Sequence, residues 1–353
     1  MATSLALAEN PNQPDRKTAV DSLQVFSTCP SSSTTPDDYL RRVADVARWS
    51  ESAGCTGILV YTDNSVVDPW LVSQVIIQST DSLAPLIAVQ PVYMHPYTVA
   101  KMVSTLAFFH ERRVFLNMVA GGFKTDLTAL NDTTPHDSRY QRLVEYTRII
   151  QQLLCGRSPV TFEGQFYNVK NLTLKPALSP DFFPGFLMSG SSEAGMAAAK
   201  ETGAIAVQYP EPPREGHAGP PGERGPCGVR IGIVTRPQQE AAWEVALARF
   251  PEDRKGQLTR QLAIKMSDSA WHRRLSEIGE QSADGRETYW LHPFDNYQTN
   301  CPYLVGSYEN VADELSQYVH LGYRTFILDI PAGEEEFQHI GEVFHAAASR
   351  AGL

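Results

Sequence analysis

The sequence predicts a (β/α)8 barrel with insertions, an α/β fold. Eight apolar runs alternate with amphipathic stretches along the chain, as repeated strand–helix units require. Runs such as GILVY within residues 56–62 are apolar throughout, which is typical of parallel strands covered by helices. The first run ends in Ser27-Thr28-Cys29-Pro30-Ser31 and has no glycine, whereas a doubly wound sheet, the second choice, needs a glycine-rich turn at this point.

Strands are predicted where short apolar runs end in turn-forming or polar residues. The eight predicted strands are residues 23–28, 56–62, 86–90, 114–120, 186–188, 204–208, 228–235 and 325–330. Helices are predicted where apolar residues recur every three or four positions, often after a proline or serine. The predicted helices are residues 36–53, 69–79, 96–110, 136–154, 192–202, 237–248, 311–321 and 334–348.

Three segments lie outside this rhythm. Residues 1–20 are polar and aperiodic and predict a flexible extension, leaving 21–353 as a single domain. Residues 159–175 alternate at period two around Glu163-Gly164, which predicts an inserted hairpin. Residues 251–306 are charged and then rich in tyrosine and asparagine, and we interpret them as a lid-like insertion.

Charge and composition exclude several classes of function. The chain has 353 residues, 42% of them hydrophobic, and a net charge of −10. An acidic protein is a poor partner for nucleic acid or an anionic membrane surface. No apolar run is long enough to span a bilayer or to form a signal peptide. We therefore expect a cytoplasmic protein that acts on a small molecule, with no nucleic-acid and no membrane partner.

The polar residues expected at the strand ends do not predict a metal or nucleophile site. The five cysteines are scattered and odd in number, so we interpret them as reduced thiols. At the strand ends no His-x-His pair or glutamate cluster suggests a metal, and the sequence has no Gly-x-Ser-x-Gly elbow. Redox chemistry on a bound organic cofactor is then the leading hypothesis.

The turn after the fifth strand is the best anion site in the sequence. It comprises Ser189, Gly190, Ser191 and Ser192 and leads into an alanine-rich helix. Glycine lets the backbone approach a ligand closely, and the free N–H groups of a helix N-terminus attract phosphate. The alternative is that the serines only cap the helix. Barrels often bind phosphate at this place, so a flavin phosphate would fit.

Five motifs in order resemble those of the bacterial luciferase-like flavin monooxygenases, most closely the alkanesulfonate monooxygenase branch. They are residues 88–96 (AVQPVYMHP), 116–122 (LNMVAGG), 136–140 (HDSRY), 162–167 (FEGQFY) and 189–192 (SGSS). The resemblance covers about residue 23 to the C-terminus. It implies a barrel enzyme that takes reduced FMN (FMNH2) from a separate NAD(P)H:FMN reductase, uses O2 as co-substrate, and forms a homo-dimer or homo-tetramer.

The resemblance also implies a set of cofactor-binding residues, matched by their positions in these motifs. Asn117 would contact the flavin ring, Gln90 with the backbone at Ala120 and Gly121 would line it, and Ser191 and Ser192 would hold the phosphate. The other members of the set lie on the phosphate side: His136, Tyr140, Ser189 and Gly190.

The substrate side departs from the alkanesulfonate branch. Arg230 is kept and is our catalytic candidate, because a buried arginine must pair with an acid or face an anion. The branch's other charged or reactive positions fall on Cys29, Val66, Gly232, Asn296 and Pro331. We expect the cofactor chemistry to be kept and the substrate to be other than an alkanesulfonate. The candidate substrate contacts are Cys29, Thr62, His95, Trp271 and Asn296.

Alternatives remain open within this fold. Some relatives use the deazaflavin F420 and transfer hydride without O2, and luciferase-type families include a non-catalytic subunit. Our hypothesis is an FMNH2-dependent two-component monooxygenase, with a tailoring role in secondary metabolism suggested by the changed substrate side and the aromatic lid.

Overall fold

The computed structural model describes residues 23–31, 35–157, 159–213, 225–257, 275 and 287–353. The strands are β1 Gln24–Thr28, β2 Gly57–Val60, β3 Ala84–Val89, β4 Phe115–Val119, β5 Val160–Glu163, β6 Asn168–Leu172, β7 Gly185–Ser189, β8 Ile205–Gln208, β9 Cys227–Arg236, β10 Tyr289–Trp290, β11 Tyr303–Ser307 and β12 Tyr323–Leu328. The helices are α1 Pro36–Ser52, α2 Pro69–Ser79, α3 Pro96–His110, α4 Lys124–Ala129, α5 His136–Leu154, α6 Glu193–Thr202, α7 Gln239–Arg249, α8 His292–Asp295, α9 Tyr308–His320 and α10 Glu334–Arg350.

Eight parallel strands close into a barrel, which confirms the predicted fold class. Their order is β1-β2-β3-β4-β7-β8-β9-β12, and β12 pairs with β1 to complete the circle. All eight are strands predicted from the sequence. Because the strands are parallel, their carboxyl ends meet at one mouth, where polar side chains can converge.

The barrel interior is filled by an apolar floor. Phe26, Leu59, Leu86, Phe115, Leu187, Val207 and Ile327 form one buried cluster with Ala84. The rings of Phe26 and Phe115 meet edge to face with centroids 5.0 Å apart. The alternate residues of the same strands, such as Leu116 and Met118, pack outward with helices α3, α5 and α6. This alternation, set by the two-residue period of a strand, fixes which side chains face the interior.

Strand β9 is longer than its neighbours and belongs to two sheets. Residues 227–231 pair with β12 inside the barrel, and residues 232–236 pair with β11 beyond it. Strand β11 in turn pairs antiparallel with β10. We did not predict β10 and β11, which fall within or beside the segment interpreted as a lid. Residue 275 and the segments 251–257 and 287–306 are the only parts of that segment that the structure describes, so its role as a lid stays a prediction.

An antiparallel hairpin, β5 with β6, lies against helix α5. The Glu145 carboxylate accepts the backbone N–H groups of Gln165, Phe166 and Tyr167 at 2.8, 2.9 and 3.0 Å. Gly164 is required here, because a Cβ at that position would stand 2.4 Å from the carboxylate. One side chain thus fixes the hairpin turn to the helix.

Candidate active site

A ring of polar side chains lies one layer above the apolar floor. Thr28, Tyr61, Asn117, Ser189, Tyr209 and Asp329 each stand two positions after a floor residue of the same strand, so they face the interior at the barrel mouth. Arg230 belongs to this layer, because its neighbours Val229 and Ile231 pack outward with helices α9 and α10. Gln90, one residue past β3 and buried, completes the ring.

The half of the mouth built by β3, β4, β7 and β8, which we call the neutral half, is held by uncharged groups. Asn117 is 5% exposed, and the Ser189 hydroxyl donates to its Oδ1 at 2.8 Å. Gln90 Nε2 donates to the Thr62 carbonyl at 3.4 Å. No hydrogen-bond partner for Asn117 Nδ2 is found among the described residues, so this amide can donate to a ligand in the mouth.

The turn after β7 is tightly packed on helix α5. A Cβ at Gly190 would stand 2.3 Å from the Tyr140 hydroxyl, so only glycine admits the tyrosine here. Ser192 caps helix α6 by accepting the Gly195 N–H at 3.2 Å. Ser191 Oγ accepts the Tyr209 N–H at 3.4 Å. In the described chain, the backbone N–H groups of residues 191–194 have no acceptor, and together they form a cluster of free donors at a helix N-terminus.

The other predicted cofactor residues border this turn or the end of β4. The His136 ring lies edge to face with Tyr140 at 5.2 Å, and its Nδ1 pairs with the exposed Asp137 at 2.7 Å. Burial raises the pKa of Tyr140, so the phenol remains a neutral donor. Ala120 is buried, and Gly121 has φ +110°, where a Cβ would meet Leu127 at 2.9 Å.

The half built by β9, β12, β1 and β2, which we call the charged half, centres on Arg230. Its Nη2 lies 4.0 Å from Asp329 Oδ1, beyond hydrogen-bond range, and both side chains are 14% exposed. The guanidinium carbon is 5.9 Å from the Tyr61 ring centroid. Arg230 Nε is buried and has no hydrogen-bond partner in the described part of the protein. A buried cationic donor without an acceptor marks a place for an anionic ligand group.

Tyr303 of strand β11 holds the acid of this pair. Its hydroxyl donates to Asp329 Oδ2 at 2.7 Å, and its ring lies where any side chain on Gly232 would stand, with an added Cβ only 2.2 Å away. The absence of a side chain at Gly232 is therefore what admits Tyr303. Tyr209 belongs to the same cluster, because it forms a hydrogen bond with Arg230. Burial raises the pKa of Tyr209 by more than this hydrogen bond lowers it.

The predicted substrate contacts are placed differently from one another. Cys29 is 2% exposed, and burial raises its thiol pKa to about 12, so it stays protonated. Thr62 lies at the mouth and uses its carbonyl for Gln90. His95 is an exposed cap of α3 whose Nδ1 accepts the Tyr97 N–H at 3.2 Å, and its ring lies 5.8 Å from Tyr167 of the hairpin. Trp271 lies outside the described residues.

Asn296 is buried in the base of the insertion. Its Oδ1 accepts from Gln257 Nε2 at 2.8 Å, its Nδ2 lies 2.7 Å from His292 Nε2, and the residue is only 1% exposed. These bonds join residues 253–257 to residues 292–296. Asn296 therefore links these two segments, and its role as a substrate contact stays a prediction.

Sequence reasoning placed Tyr61, Tyr209 and Asp329 at predicted strand ends and Tyr303 among the aromatic residues of the lid, but it chose none of these four as a site residue. The signal was available in the strand period, since each of those three follows a floor residue by two positions. Tyr303 could not be found in this way, because its strand was not predicted.

Among the described residues, no group of His, Cys, Asp and Glu could hold a metal ion, and none of the described helices combines the length and the apolar character needed to cross a bilayer.

Comparison of the sequence with known proteins identifies the family. The family profile described as luciferase-like monooxygenase matches residues 21–325. The chain belongs to the luciferase-like monooxygenase family. A curated family member from Niallia circulans is 35% identical over 334 residues, covering 92% of this chain and 97% of its own. Its name gives its substrate as the 4-(gamma-L-glutamylamino)butanoyl group on the BtrI acyl-carrier protein.

Solved structures of similar fold include a monooxygenase and an F420-dependent dehydrogenase. The EDTA monooxygenase of Chelativorans sp. BNC1 has a TM-score of 0.70 at 15% identity, covering 93% of this chain and 94% of its own. An F420-dependent secondary alcohol dehydrogenase has a TM-score of 0.61 at 17% identity, covering 92% and 99%. At these identities the luciferase-like fold is shared, and cofactor choice does not follow from it. The specific tie to the alkanesulfonate branch stays a prediction.

Proposed function

We propose that this protein is a two-component monooxygenase that binds FMNH2 supplied by an NAD(P)H:FMN reductase and uses O2 to oxygenate a small organic substrate. The proposal rests on the family and on one structural observation, the free backbone donors of residues 191–194 beside Tyr140 and Ser192. These donors converge where a flavin phosphate would stand in a barrel.

The residues of the neutral half fit a flavin. The helix N-terminus with Ser191, Ser192 and the Tyr140 hydroxyl would take the phosphate, and the Asn117 Nδ2 donor would reach the ring from the barrel wall. Uncharged donors suit a cofactor whose ring changes redox state, because they contribute no fixed charge that favours one state strongly. When bound, reduced FMN supplies the electrons that activate O2.

The charged half would hold the substrate against the cofactor. Arg230 offers a buried N–H for an anionic group, and Asp329 offers carboxylate oxygens beside it. Tyr61 and Tyr209 flank the arginine and exclude water from it, as oxygenation on a flavin requires. The segment 251–306 would complete this exclusion as a lid.

The relative from Niallia circulans narrows the substrate class. Its similarity covers nearly the full length of both chains, and it acts on an acyl group attached to a carrier protein. We therefore propose that this protein is a tailoring enzyme of secondary metabolism whose substrate is an amide-containing acyl chain of that general kind. An alkanesulfonate is disfavoured, because Asp329 would repel a purely anionic head group.

The test is an anaerobic titration of the purified protein with FMNH2, oxidised FMN and reduced and oxidised F420, followed by protein fluorescence. We expect the tightest binding for FMNH2, and product carrying one oxygen atom from 18O2 when a reductase and carrier-bound acyl substrates are added. Selective binding of F420 with O2-independent turnover would replace the proposal by hydride transfer, as in the F420-dependent dehydrogenase of the same fold.

A control separates a catalytic chain from a non-catalytic subunit. The variant Ser191→Ala/Ser192→Ala removes both hydroxyls of the turn and should weaken FMNH2 binding about tenfold. Gly341→Ala, on α10 with nothing within 4 Å of the new Cβ, should leave binding unchanged. If wild-type protein and both variants bind FMNH2 equally weakly, the chain is not an FMNH2-dependent enzyme by itself.

A further inference from the structure

Arg230 and Asp329 of the charged half form an ion pair that has no direct hydrogen bond. Arg230 Nη2 and Asp329 Oδ1 are 4.0 Å apart, so each keeps hydrogen-bonding capacity that a direct ion pair would use up. Arg230 Nε has no partner among the described residues. The Tyr303 hydroxyl donates to Asp329 Oδ2, so this bond does not occupy Oδ1, the oxygen nearer to Arg230.

We propose that Arg230 and Asp329 together bind the α-amino-acid end of the substrate, with the substrate's carboxylate on Arg230 and its ammonium group on Asp329. This assignment names the substrate class of the proposed monooxygenase, and it rests on that proposed function for the reaction that follows binding.

Charge balance favours a zwitterion over other ligands at this site. The pair itself is neutral in sum, and a zwitterion brings one charge of each sign, so no net charge enters the barrel mouth. A simple anion would be attracted by Arg230 but repelled by Asp329. A simple cation would be attracted by Asp329 but repelled by Arg230. A neutral apolar ligand would leave the buried Nε–H of Arg230 unpaired.

The surroundings hold the two charged groups in place for this task. Tyr303 fixes the Asp329 carboxylate at 2.7 Å, and Gly232 makes room for that tyrosine. The Tyr61 ring lies 5.9 Å from the guanidinium carbon and supports it through a cation–π contact. The relative's substrate ends in a gamma-glutamyl group, which carries an α-amino and an α-carboxylate group at the end remote from the carrier.

The test uses ligands altered one charge at a time, without turnover and without flavin. The probe is gamma-L-glutamyl-4-aminobutanamide, in which an amide replaces the carrier thioester. Isothermal titration compares it with its N-acetyl form, its α-carboxamide form and the glutaryl analogue, which lacks only the ammonium group. On the wild-type protein we expect each change to weaken binding about tenfold or more.

Variants then assign each charge to its partner. Asp329→Asn should bind the zwitterionic probe at least tenfold more weakly and the glutaryl analogue more tightly than wild type does, since the repulsion is removed. A gain in binding cannot come from misfolding. Arg230→Met should lose the preference for the probe over its α-carboxamide and bind the α-carboxamide at least as tightly, because Asp329 still repels the carboxylate. The control Glu336→Gln removes the acid of another buried arginine pair, with Arg236, and should change none of these ratios.

Two results would overturn the assignment. One is a wild-type protein that binds the probe and its N-acetyl form equally, and the other is an Asp329→Asn variant that keeps the full preference for the zwitterion. L-Glutamine, with the same head group and no chain, tests the source of the ligand. If L-glutamine binds more weakly than the probe, the result supports a carrier-bound acyl chain as the ligand. If the two bind equally, the site is assigned to a free amino acid. Because these titrations contain no flavin, their outcome does not depend on whether the protein binds FMNH2, and the two proposals can fail independently.

Discussion

The neutral half and the charged half of the barrel mouth differ in what holds their polar groups. In the neutral half, amides and hydroxyls bond to one another, as Ser189 does to Asn117. In the charged half, Arg230 and Asp329 are buried side by side without a direct bond. The motifs that resemble the flavin monooxygenases lie in or beside the first half, and the departures at Cys29, Val66, Gly232 and Pro331 lie on the second.

Under the proposed assignment of the cofactor to the neutral half and the substrate to the charged half, this division offers a way for one fold to keep its cofactor while its substrate changes. Neutral hydrogen bonds are short-range and depend on geometry, so replacing one of their partners leaves the other unsatisfied. Removing one partner of a buried charge pair leaves the other charge uncompensated, so Arg230 and Asp329 must change together. Under the proposed roles, such a pair can be exchanged as a unit while strands β3, β4 and β7 stay the same.

The largest effect should come from Arg230→Ala. We expect oxygenated product per FMNH2 to fall about 100-fold at fixed substrate concentration, because a buried charge partner is lost. The dissociation constant for FMNH2 should stay within about threefold of wild type, and H2O2 should rise in place of product. Unchanged product yield would show that Arg230 takes no part in the reaction. Arg41→Ala, which removes an exposed ion pair with Asp38, is the control.

Gly190→Val should give the opposite pattern. Its side chain would overlap the Tyr140 hydroxyl, which lies 2.3 Å from the position of a Cβ. We expect FMNH2 binding to weaken about 100-fold, or about 2.8 kcal/mol, in an anaerobic fluorescence titration. Binding of the zwitterionic probe to the charged half should persist. If both ligands were lost together, the two halves would not be independent.

A smaller effect is expected at Asn117, and a double-mutant cycle sharpens it. Asn117→Ala should weaken FMNH2 binding about tenfold, because it removes an amide donor from the mouth. Ser189→Ala alone should have a lesser effect, and the two changes together should cost less than their sum, since the Ser189 hydroxyl bonds to Asn117 Oδ1. Additive losses would indicate that the two residues act on the cofactor separately.

The smallest effect concerns the free energy of unfolding and arises at Glu314 of helix α9. Burial, helped by Glu287, raises the pKa of Glu314 to about 7. A carboxyl with a raised pKa binds its proton more tightly when folded, so stability falls as pH rises from about 4.5 through about 7. Glu314→Gln should remove this contribution and unfold less readily at pH 8, by about 1 kcal/mol after allowance for partial exposure. Guanidinium unfolding at pH 5.5 and pH 8 measures it, and equal pH slopes for the two proteins would contradict it.

The fold was predictable because each barrel strand is a short apolar run and the helices between them are amphipathic. The same rule missed β11, since Tyr303–Ser307 has only two aliphatic residues and follows a segment rich in Asn and Pro. Arg230 and the Ser189–Ser192 turn were found because strand ends in a barrel share one mouth. Their roles stay predictions. The bond between Tyr303 and Asp329 was not predictable, because it joins residues of different sheets.

Strand β9 carries Arg230 in its barrel portion, and two residues later, at Gly232, it begins to pair with β11. The outer sheet and the central arginine are consequently one continuous piece of backbone, and the two cannot diversify separately. An insertion that altered β11 would move Tyr303 and, through it, Asp329. Under the roles proposed for Arg230 and Asp329, a change in the outer layer is therefore also a change at the substrate contacts.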